Sequence, residues 1–502
     1  MANKFYITTP LYYVNASPHI GHSYTNIAAD TLARYTRQIL GGKNVWFLTG
    51  TDEHGQKIQR AAEEQGLNPQ EFVDNMVVQF KDLWKALDIS YNDFIRTTEE
   101  RHIKTVKRVL EILYEKKQIY LAKYEGWYCT PCETFWSKMQ LEDDTCPDCK
   151  RPLEKIIETN YFFKLSEHQD WLIDYIKTHQ NFIRPQYRYQ EVLSFLQLNK
   201  LTDLCISRPK ERLSWGIPLP FSSGHVTYVW VDALINYISA VGEFDGQGNY
   251  KSRWWPADLH LIGKDILRQH AVYWPIILHA LDIEPPKTIF AHGWWLISES
   301  KMSKSRGNVI NPIDMVNKFG IDVYRYFLLR DVPFGLDGNF SEEAVIKRFN
   351  GDLANDLGNL VYRTLTMIEK YFDGVIPDRG KLDAHGWKID ESIRALPKEI
   401  EPLLSADFGF NFSLVLERIW DSIKMANKYV EDTKPWNLAK EDKTEELRSF
   451  IRLLVDVLRE VADQVSPFMP QTAESIREQL GKDKIKKGKP LFPRIDTLKP
   501  NA

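Results

Sequence analysis

The sequence predicts an α/β protein in which a parallel sheet is split by an insertion and followed by an α-helical bundle. Three observations carry that expectation. Short apolar runs recur and lead into polar turns: "KFYITT", "NVWFLTGTDEHG", "DLHLIGKDI" and "KTIFAHGWW". Such runs read as strands buried on both faces, and ligands of such sheets bind at the carboxyl ends of the strands. An aromatic-rich stretch holding four of the five cysteines interrupts the pattern, and beyond about residue 345 only helix-period apolar faces remain.

Taken in order, residues 1–117 form the first half of the sheet domain. "KFYITT" is its first strand, and "PLYYVNASPHIGHSY" connects it to a helix. Ile20, Tyr24, Ile27, Thr31 and Tyr35 recur at i+3/i+4 spacing along that helix, with Ser17 as the expected N-cap and Pro18 at its first position. Residues 118–226 are the insertion, with weak helical periodicity, and 227–345 return to strands and helices. Residues 346–502 are the bundle, because "DLANDLGNLVYRTLTMIEKYF", "FSLVLERIWDSIKMANKYV" and "LRSFIRLLVDVLREVADQV" each carry an apolar face.

Composition narrows the function. Hydrophobic content of 43% and charged content of 26% suit a soluble globular chain. A net charge of −3 provides no bulk attraction for nucleic acid, so any such surface is a local patch on a neutral body. "MANKFYITTP" lacks the apolar core of an export signal, and no run approaches the roughly 20 apolar residues that span a bilayer. A cytoplasmic protein without membrane contact is expected. In that reducing compartment, clustered cysteines point to metal rather than disulfides. Cys129 and Cys132 of "CTPC" and Cys146 and Cys149 of "CPDC" are two C-x-x-C pairs thirteen residues apart. They can close a tetrahedral thiolate shell around one zinc ion, and a shell with no open position is structural. Cys205 is left as a buried apolar residue.

Two motifs point to phosphate chemistry. His19 and His22 of "HIGH" lie three residues apart on one helix face, at a helix N-terminus whose free N–H groups attract anions. Gly21 between them removes a side chain where a ligand would approach. The segment "ESKMSKSRGN" at 299–308 is a polar loop whose Lys301 and Lys304 can neutralise a triphosphate. Neither G-x-x-x-x-G-K-[ST] nor G-x-G-x-x-G occurs in the chain.

With "HIGH" and "KMSKS" both present, the chain resembles a class I aminoacyl-tRNA synthetase. Within that class it is similar to the methionyl-tRNA synthetases, through "YITTPLYYVNASPHIGH", "TGTDEHG", "YVWVDALINY", "GKDILRQHAVYWP", "AHGWW" and "ANKYVEDTKPW". The likeness spans nearly the whole chain and implies a Rossmann-like catalytic sheet followed by an anticodon-binding bundle. It implies methionine–tRNA ligation, with His19, His22, Lys301 and Lys304 carrying phosphate charge and Mg²⁺ accompanying ATP. It also implies ATP contacts at Gly21, Gly263, Asp265, His292 and Trp295. The methionine site would be Leu11, Tyr13, Trp230, Tyr237, His270 and Trp274, with Asp52 for the ammonium; Leu234 and Gln269 receive no assigned contact. Thioether sulfur packs well on ring edges, so an aromatic pocket suits this substrate.

The resemblance places anticodon readers at Asn359 and Arg363, one helical turn apart in "NLVYR", and at Trp436 of "KPWN". Expected partners are initiator and elongator methionine tRNA, ATP and L-methionine. A monomer is expected, because the chain stops after "PLFPRIDTLKPNA", where longer relatives append a dimerising domain. The rival readings are a class I synthetase for another apolar amino acid and a non-catalytic zinc-containing RNA-binding paralogue.

Overall fold

The computed structural model describes residues 4–129, 134–136, 141, 145–147, 150–297, 300–301 and 310–495. The chain folds as two compact units, Met1–His292 and Gly293–Ala502. The first unit opens with β1 (Phe5–Thr8), β2 (Tyr12–Tyr13), α1 (Ile20–Leu40) and β3 (Val45–Asp52). Helices α2 (Gln56–Glu64) and α3 (Pro69–Ala86) lead to β4 (Asp93–Arg96) and α4 (Glu100–Glu115). Next come β5 (Ile119–Cys129), β6 (Thr134–Trp136), β7 (Glu154–Phe163), α5 (Gln169–Thr178), β8 (Ile183–Arg184), α6 (Gln186–Leu198) and β9 (Leu204–Cys205). The pair β10 (Ser207–Pro209) and β11 (His225–Thr227) precedes α7 (Val229–Leu234) and α8 (Asn236–Ser239). The hairpin β12 (Gly242–Phe244) and β13 (Tyr250–Ser252), then β14 (Leu259–Gly263), α9 (Trp274–Ala280) and β15 (Ile289–His292), complete the unit.

The main sheet runs β2–β3–β1–β14–β15–β8, with β4 on the opposite edge of β3, and its pairings are all parallel. Strand β1 therefore has β3 on one side and β14 on the other. Strand order reverses there, which opens a crevice at its carboxyl end. Helix α1 begins beside that crevice. The insertion builds its own antiparallel sheet, β6–β5–β7–β9, in which β5 and β7 pair from Ile119↔Phe163 to Tyr128↔Glu154. Residues 118–226 are nevertheless not all separate. Strand β8 pairs with β15, and α5 and α6 are regular helices where the sequence shows only weak periodicity.

The path from β1 to β2 depends on local chemistry. Thr8 pairs with Leu48 and Tyr12 with Thr51, so Thr9–Leu11 span what Thr49 and Gly50 span on β3. Pro10 supplies no N–H at this bulge. Leu11 drops onto Gly50, where an added Cβ would stand 2.9 Å from Leu11 Cδ2 and 2.0 Å from the Ile95 carbonyl oxygen.

Helix α1 departs from expectation in two ways. Its N-cap is His19 rather than Ser17, and Pro18 lies outside the helix. It is also buried all round from Ser23 to Ala33 rather than along one face. Several polar groups there are bonded: Asp30 accepts from Arg34, the Ser90 amide and the Ser90 hydroxyl, and Asn26 donates to the Tyr12 hydroxyl.

The second unit begins with a small sheet of β16 (Trp295–Ile297), β17 (Ser300–Lys301) and, after α10 (Pro312–Phe319) and α11 (Ile321–Arg330), β18 (Gly338–Asn339). Helices α12 (Glu342–Arg348), α13 (Asn359–Phe372), α14 (Ala384–Ile400), α15 (Phe412–Thr433), α16 (Pro435–Lys440), α17 (Thr444–Val465) and α18 (Pro470–Leu480) follow. The first expected bundle helix is thus in two parts, because Phe349–Gly358 winds as a π-helix into α13. Buried Arg325 donates to the carbonyls of Pro467 and Phe468, satisfying backbone acceptors beyond the end of α17. No helix among the described residues is long and apolar enough to cross a membrane.

The contact at Gly50 gives a direct test. Gly50→Ala forces a methyl group into the Ile95 carbonyl, a backbone atom that cannot turn aside. The expected outcome is a loss of at least about 2 kcal/mol in unfolding free energy, read from the urea midpoint.

Candidate active site

The first turn of α1 is held by its own histidines. The Gly21 amide donates to His19 Nδ1 at 3.1 Å, and the His19 amide donates to His22 Nδ1 at 3.1 Å. The two rings stack with centroids 3.9 Å apart. A ring nitrogen that accepts from an amide carries no proton, so each neutral ring has its hydrogen on Nε2. Both imidazoles therefore cap the backbone with one nitrogen and keep an N–H donor on the other. Gly21 has a reason beyond ligand access, because a Cβ there would lie 3.0 Å from His19 Cε1. No acidic residue stands in the first turn, so the positive end of the helix is not neutralised by its own side chains.

Neighbouring strand ends converge on this turn. Gly263, at the end of β14, is the register partner of His292, at the end of β15. His292 Nε2 is 2.7 Å from Thr25 Oγ1, and Thr25 also donates to the Gly21 carbonyl. His292 is buried and meets Tyr24 edge to face, so it braces α1. Asp265 is exposed, and its Oδ1 lies 2.7 Å from where a Cβ on Gly263 would be. Trp295 belongs to the other unit, where its ring is buried against Phe327 and Phe340; its side chain fills core there.

Two groups of aromatic and polar residues lie further along the same carboxyl edge. Asp52 ends β3, is nearly buried and pairs in register with Tyr13; Leu11 sits on Gly50 just before it. The second group is a buried hydrogen-bonded chain. Tyr237 Oη lies 2.7 Å from His270 Nε2, and His270 Nδ1 lies 2.9 Å from the Ile266 carbonyl. The Nδ1–H donates to that carbonyl, so Nε2 accepts from the tyrosine. Trp274 Nε1 donates to His260 Nε2 at 3.2 Å, and His260 Nδ1 meets Thr8 Oγ1 at 2.8 Å. Burial drives the His270 pKa down to about 4 and that of His260 well below its ordinary value. Both rings are neutral near pH 7. Trp230, on α7, and Leu11 and Tyr13 are partly buried and pack on the same apolar core; Leu234 is buried in it, and Gln269 is half-buried.

Sequence reasoning missed what holds the "TDEHG" turn. Glu53 is fully buried and takes both arms of Arg96, at 2.7 and 2.9 Å, plus the hydroxyls of Thr51 and Thr98, each at 2.6 Å. The next residue, His54, reaches Asp232 through Nδ1 at 2.7 Å, and His102 Nε2 reaches the other oxygen of Asp232 at 2.7 Å. Burial alone would raise the Asp232 pKa, but His54 and His102 together hold it below the usual carboxylate value. The available signal was the lone acid in the apolar run "YVWVDALINY". A carboxylate buried there needs partners.

The remaining expected residues divide between described and undescribed parts. Lys301 pairs with Leu296 in the β16–β17 ladder; Lys304 and the rest of the basic loop lie outside the described residues. Cys129 and Cys146 are fully buried in one small cluster with Trp127, Leu141 and Leu153, while Cys132 and Cys149 lie outside the described residues. Among the described residues no three His, Cys, Asp or Glu side chains gather around a metal position. Cys129 at the end of β5 and Cys146, whose carbonyl accepts from the Lys150 amide at 2.8 Å, share one buried cluster and are of the residue type a thiolate metal site uses. Cys205 is buried, as expected. In the second unit Asn359 is exposed at the start of α13, and Arg363 one turn on stands 4.0 Å from Glu431. Trp436 follows the first residue of α16 with 43% of its surface exposed, too much for a core residue.

Comparison with known proteins identifies the family and the fold. The family described as "tRNA synthetases class I (M)" matches residues 5–156 and 151–365, and "Anticodon binding domain of methionyl tRNA ligase" matches 412–500. The chain is 49% identical to a methionine--tRNA ligase of Clostridium acetobutylicum, over 99% of this chain and 79% of the relative. It is 44% identical to that of Bacillus subtilis, over 98% of this chain and 78% of the relative. Among solved structures, Mycobacterium tuberculosis methionyl-tRNA synthetase in complex with methionyl-adenylate superposes with a TM-score of 0.92 at 38% identity, covering 98% of this chain and 100% of that one.

The neutral His270 has a consequence for acid stability. Its folded pKa lies below its unfolded value, so between pH 6.5 and about 4 the unfolded chain binds a proton that the folded one refuses. Stability falls with pH across that window, by up to about 3 kcal/mol from this residue. In urea titrations at pH 7, 5.5 and 4.5, His270→Gln is expected to flatten that part of the slope.

Proposed function

The chain belongs to the methionyl-tRNA synthetase family, and on that premise we propose how its residues divide the work. It is a methionine–tRNA ligase: it activates methionine with ATP to methionyl-adenylate and transfers the methionyl group to the 3′ end of methionine tRNA. Methionine, rather than another apolar amino acid, is the substrate of the full-length relatives by name, and a ligase rather than a bare RNA-binding paralogue is what they are named.

The observation that carries the assignment of residues is the histidine-capped start of α1 in the crevice beside β1. Activation joins a methionine carboxylate oxygen to the α-phosphorus as the bond to pyrophosphate breaks. No side chain need act as nucleophile, so catalysis is positioning and charge stabilisation. In our reading, the Nε2–H groups of His19 and His22 and the helix N-terminus meet the phosphate oxygens, and Lys301 and Lys304 also carry phosphate charge. Gly21, Gly263 and Asp265 receive the nucleotide, and His292 acts by holding α1. Trp295 takes no part through its ring. Asp52 accepts from the methionine ammonium, and Leu11, Tyr13, Trp230, Tyr237, His270 and Trp274 surround the thioether. Mg²⁺ comes with ATP.

For the insertion we propose one structural zinc held by Cys129, Cys132, Cys146 and Cys149, supported by the shared burial of Cys129 and Cys146. For tRNA, Asn359, Arg363 and Trp436 are the proposed anticodon readers, supported by their exposed or half-exposed side chains. The protein is proposed to act in the cytoplasm as a monomer, which sedimentation across a concentration series checks.

Methionine-dependent ATP–pyrophosphate exchange tests the activity directly. Lys304→Ala is expected to slow pre-steady-state adenylate formation about a hundredfold, or roughly 3 kcal/mol, with little change in methionine binding. Trp436→Ala is expected to cut kcat/KM for tRNA charging sharply while exchange, which needs no tRNA, stays near wild type; a parallel fall in exchange would assign Trp436 to the fold. Cys129→Ser is expected to lower the zinc content of the purified protein and its charging activity, whereas an active wild type without zinc would remove the metal site.

A further inference from the structure

Three elements meet at one buried carboxylate in the first unit. Asp232 sits on α7, fully buried, two residues after Trp230. His54 comes from the turn after β3, two residues after Asp52, and His102 comes from the first turn of α4. Each imidazole lies 2.7 Å from its own oxygen of Asp232. An ionised carboxylate only accepts, so both rings donate to it, through His54 Nδ1–H and His102 Nε2–H. The remaining His102 nitrogen, Nδ1, then accepts from the Ser239 hydroxyl at 2.8 Å on α8. The turn is also pinned from its other side, where Glu53 holds Arg96 and the Trp215 indole donates to the Glu53 carbonyl at 2.6 Å.

We propose that Asp232 is a positioning residue for methionine: through His54 it fixes the turn carrying Asp52, and through its own helix it fixes Trp230. The ammonium and thioether contacts are thereby held at a constant separation. This rests on the reading that Asp52 and Trp230 contact methionine. Among the described residues, these hydrogen bonds run between the "TDEHG" turn, α4, α7 and α8, and not to the α1 turn or the ends of β14 and β15, so methionine rather than nucleotide contacts are under its control.

Substitutions at Asp232 separate positioning from packing. In Asp232→Ala the two imidazoles lose their shared acceptor, and the turn is no longer tied to α7. Asp232→Asn preserves the shape and both bonds. Its carbonyl oxygen accepts from His54, and its amide donates to His102 Nε2 once that ring moves its proton to Nδ1 and donates to Ser239. Steady-state ATP–pyrophosphate exchange is measured for both variants, with Asp52→Ala and Trp230→Ala alongside. Asp232→Ala is expected to raise the methionine KM about tenfold or more while the ATP KM stays within about twofold, and Asp232→Asn to restore most of the loss. An unchanged methionine KM in Asp232→Ala, with raised values in Asp52→Ala and Trp230→Ala, overturns the proposal alone. An equal rise in both KM values, unrelieved by asparagine, also overturns it, because that is the behaviour of a residue that only supports the fold. Unchanged methionine KM values in Asp52→Ala and Trp230→Ala overturn the underlying reading and the proposal together. Should Asp232→Ala not fold, His54→Phe keeps the ring volume beside Trp215 and removes the donor. A selective rise in methionine KM then supports the proposal, and its absence overturns it.

Discussion

The first unit depends on how closely β4, β3 and the β1–β2 bulge approach one another at Gly50. A side chain there would enter the Ile95 carbonyl, so the absence of one lets β4 pair from Leu48 to Thr51 while Leu11 covers the other side. Two residues later the strand ends at Asp52, and the chain turns where Glu53 pairs with the partly buried Arg96 and His54 with the buried Asp232. Close backbone packing sets where the turn begins, and paired charges set where it points. Neither alone would fix a carboxylate to within the tolerance that substrate positioning demands.

Charge is sorted by location around the crevice. At the "DEHG" turn Glu53 and its neighbour Asp232 each accept from more than one donor, which offsets the cost of removing them from water. Among the aromatics the buried histidines are neutral, each with a defined donor and acceptor side. At the start of α1 the histidines accept from the backbone and leave the helix end without a carboxylate. Fixed dipoles of this kind need no rearrangement when charge develops on a phosphate, the condition under which they stabilise a transition state best.

Much of this was legible in the sequence. The four strand runs, the split of the domain and three bundle helices follow from period and turn residues, because burial on both faces of a sheet and on one face of a helix leaves a repeating pattern. The α1 cap was not legible. Ser17 and Pro18 are better generic start signals than His19, and the helix starts at His19 because the two imidazoles bond each other's backbone, an interaction no propensity describes. The β8 strand was missed because two residues carry no periodicity; its place comes from pairing with β15. The Asp232 network was hidden for a different reason. Its members are 48 and 130 residues apart, taking His54 to His102 and His102 to Asp232, and only the fold brings them together.

The capped turn of α1 also limits how this segment can change. A Cβ at position 21 would crowd the His19 ring at 3.0 Å, and each histidine holds the other's stretch of backbone in place. Substitutions at 19, 21 and 22 are therefore strongly epistatic. A library that randomises them one at a time measures each position against partners fitted to the other two, whereas the constraint belongs to the set. Alternative solutions, if a chain can reach any, lie several simultaneous changes away, across a valley that single steps do not cross.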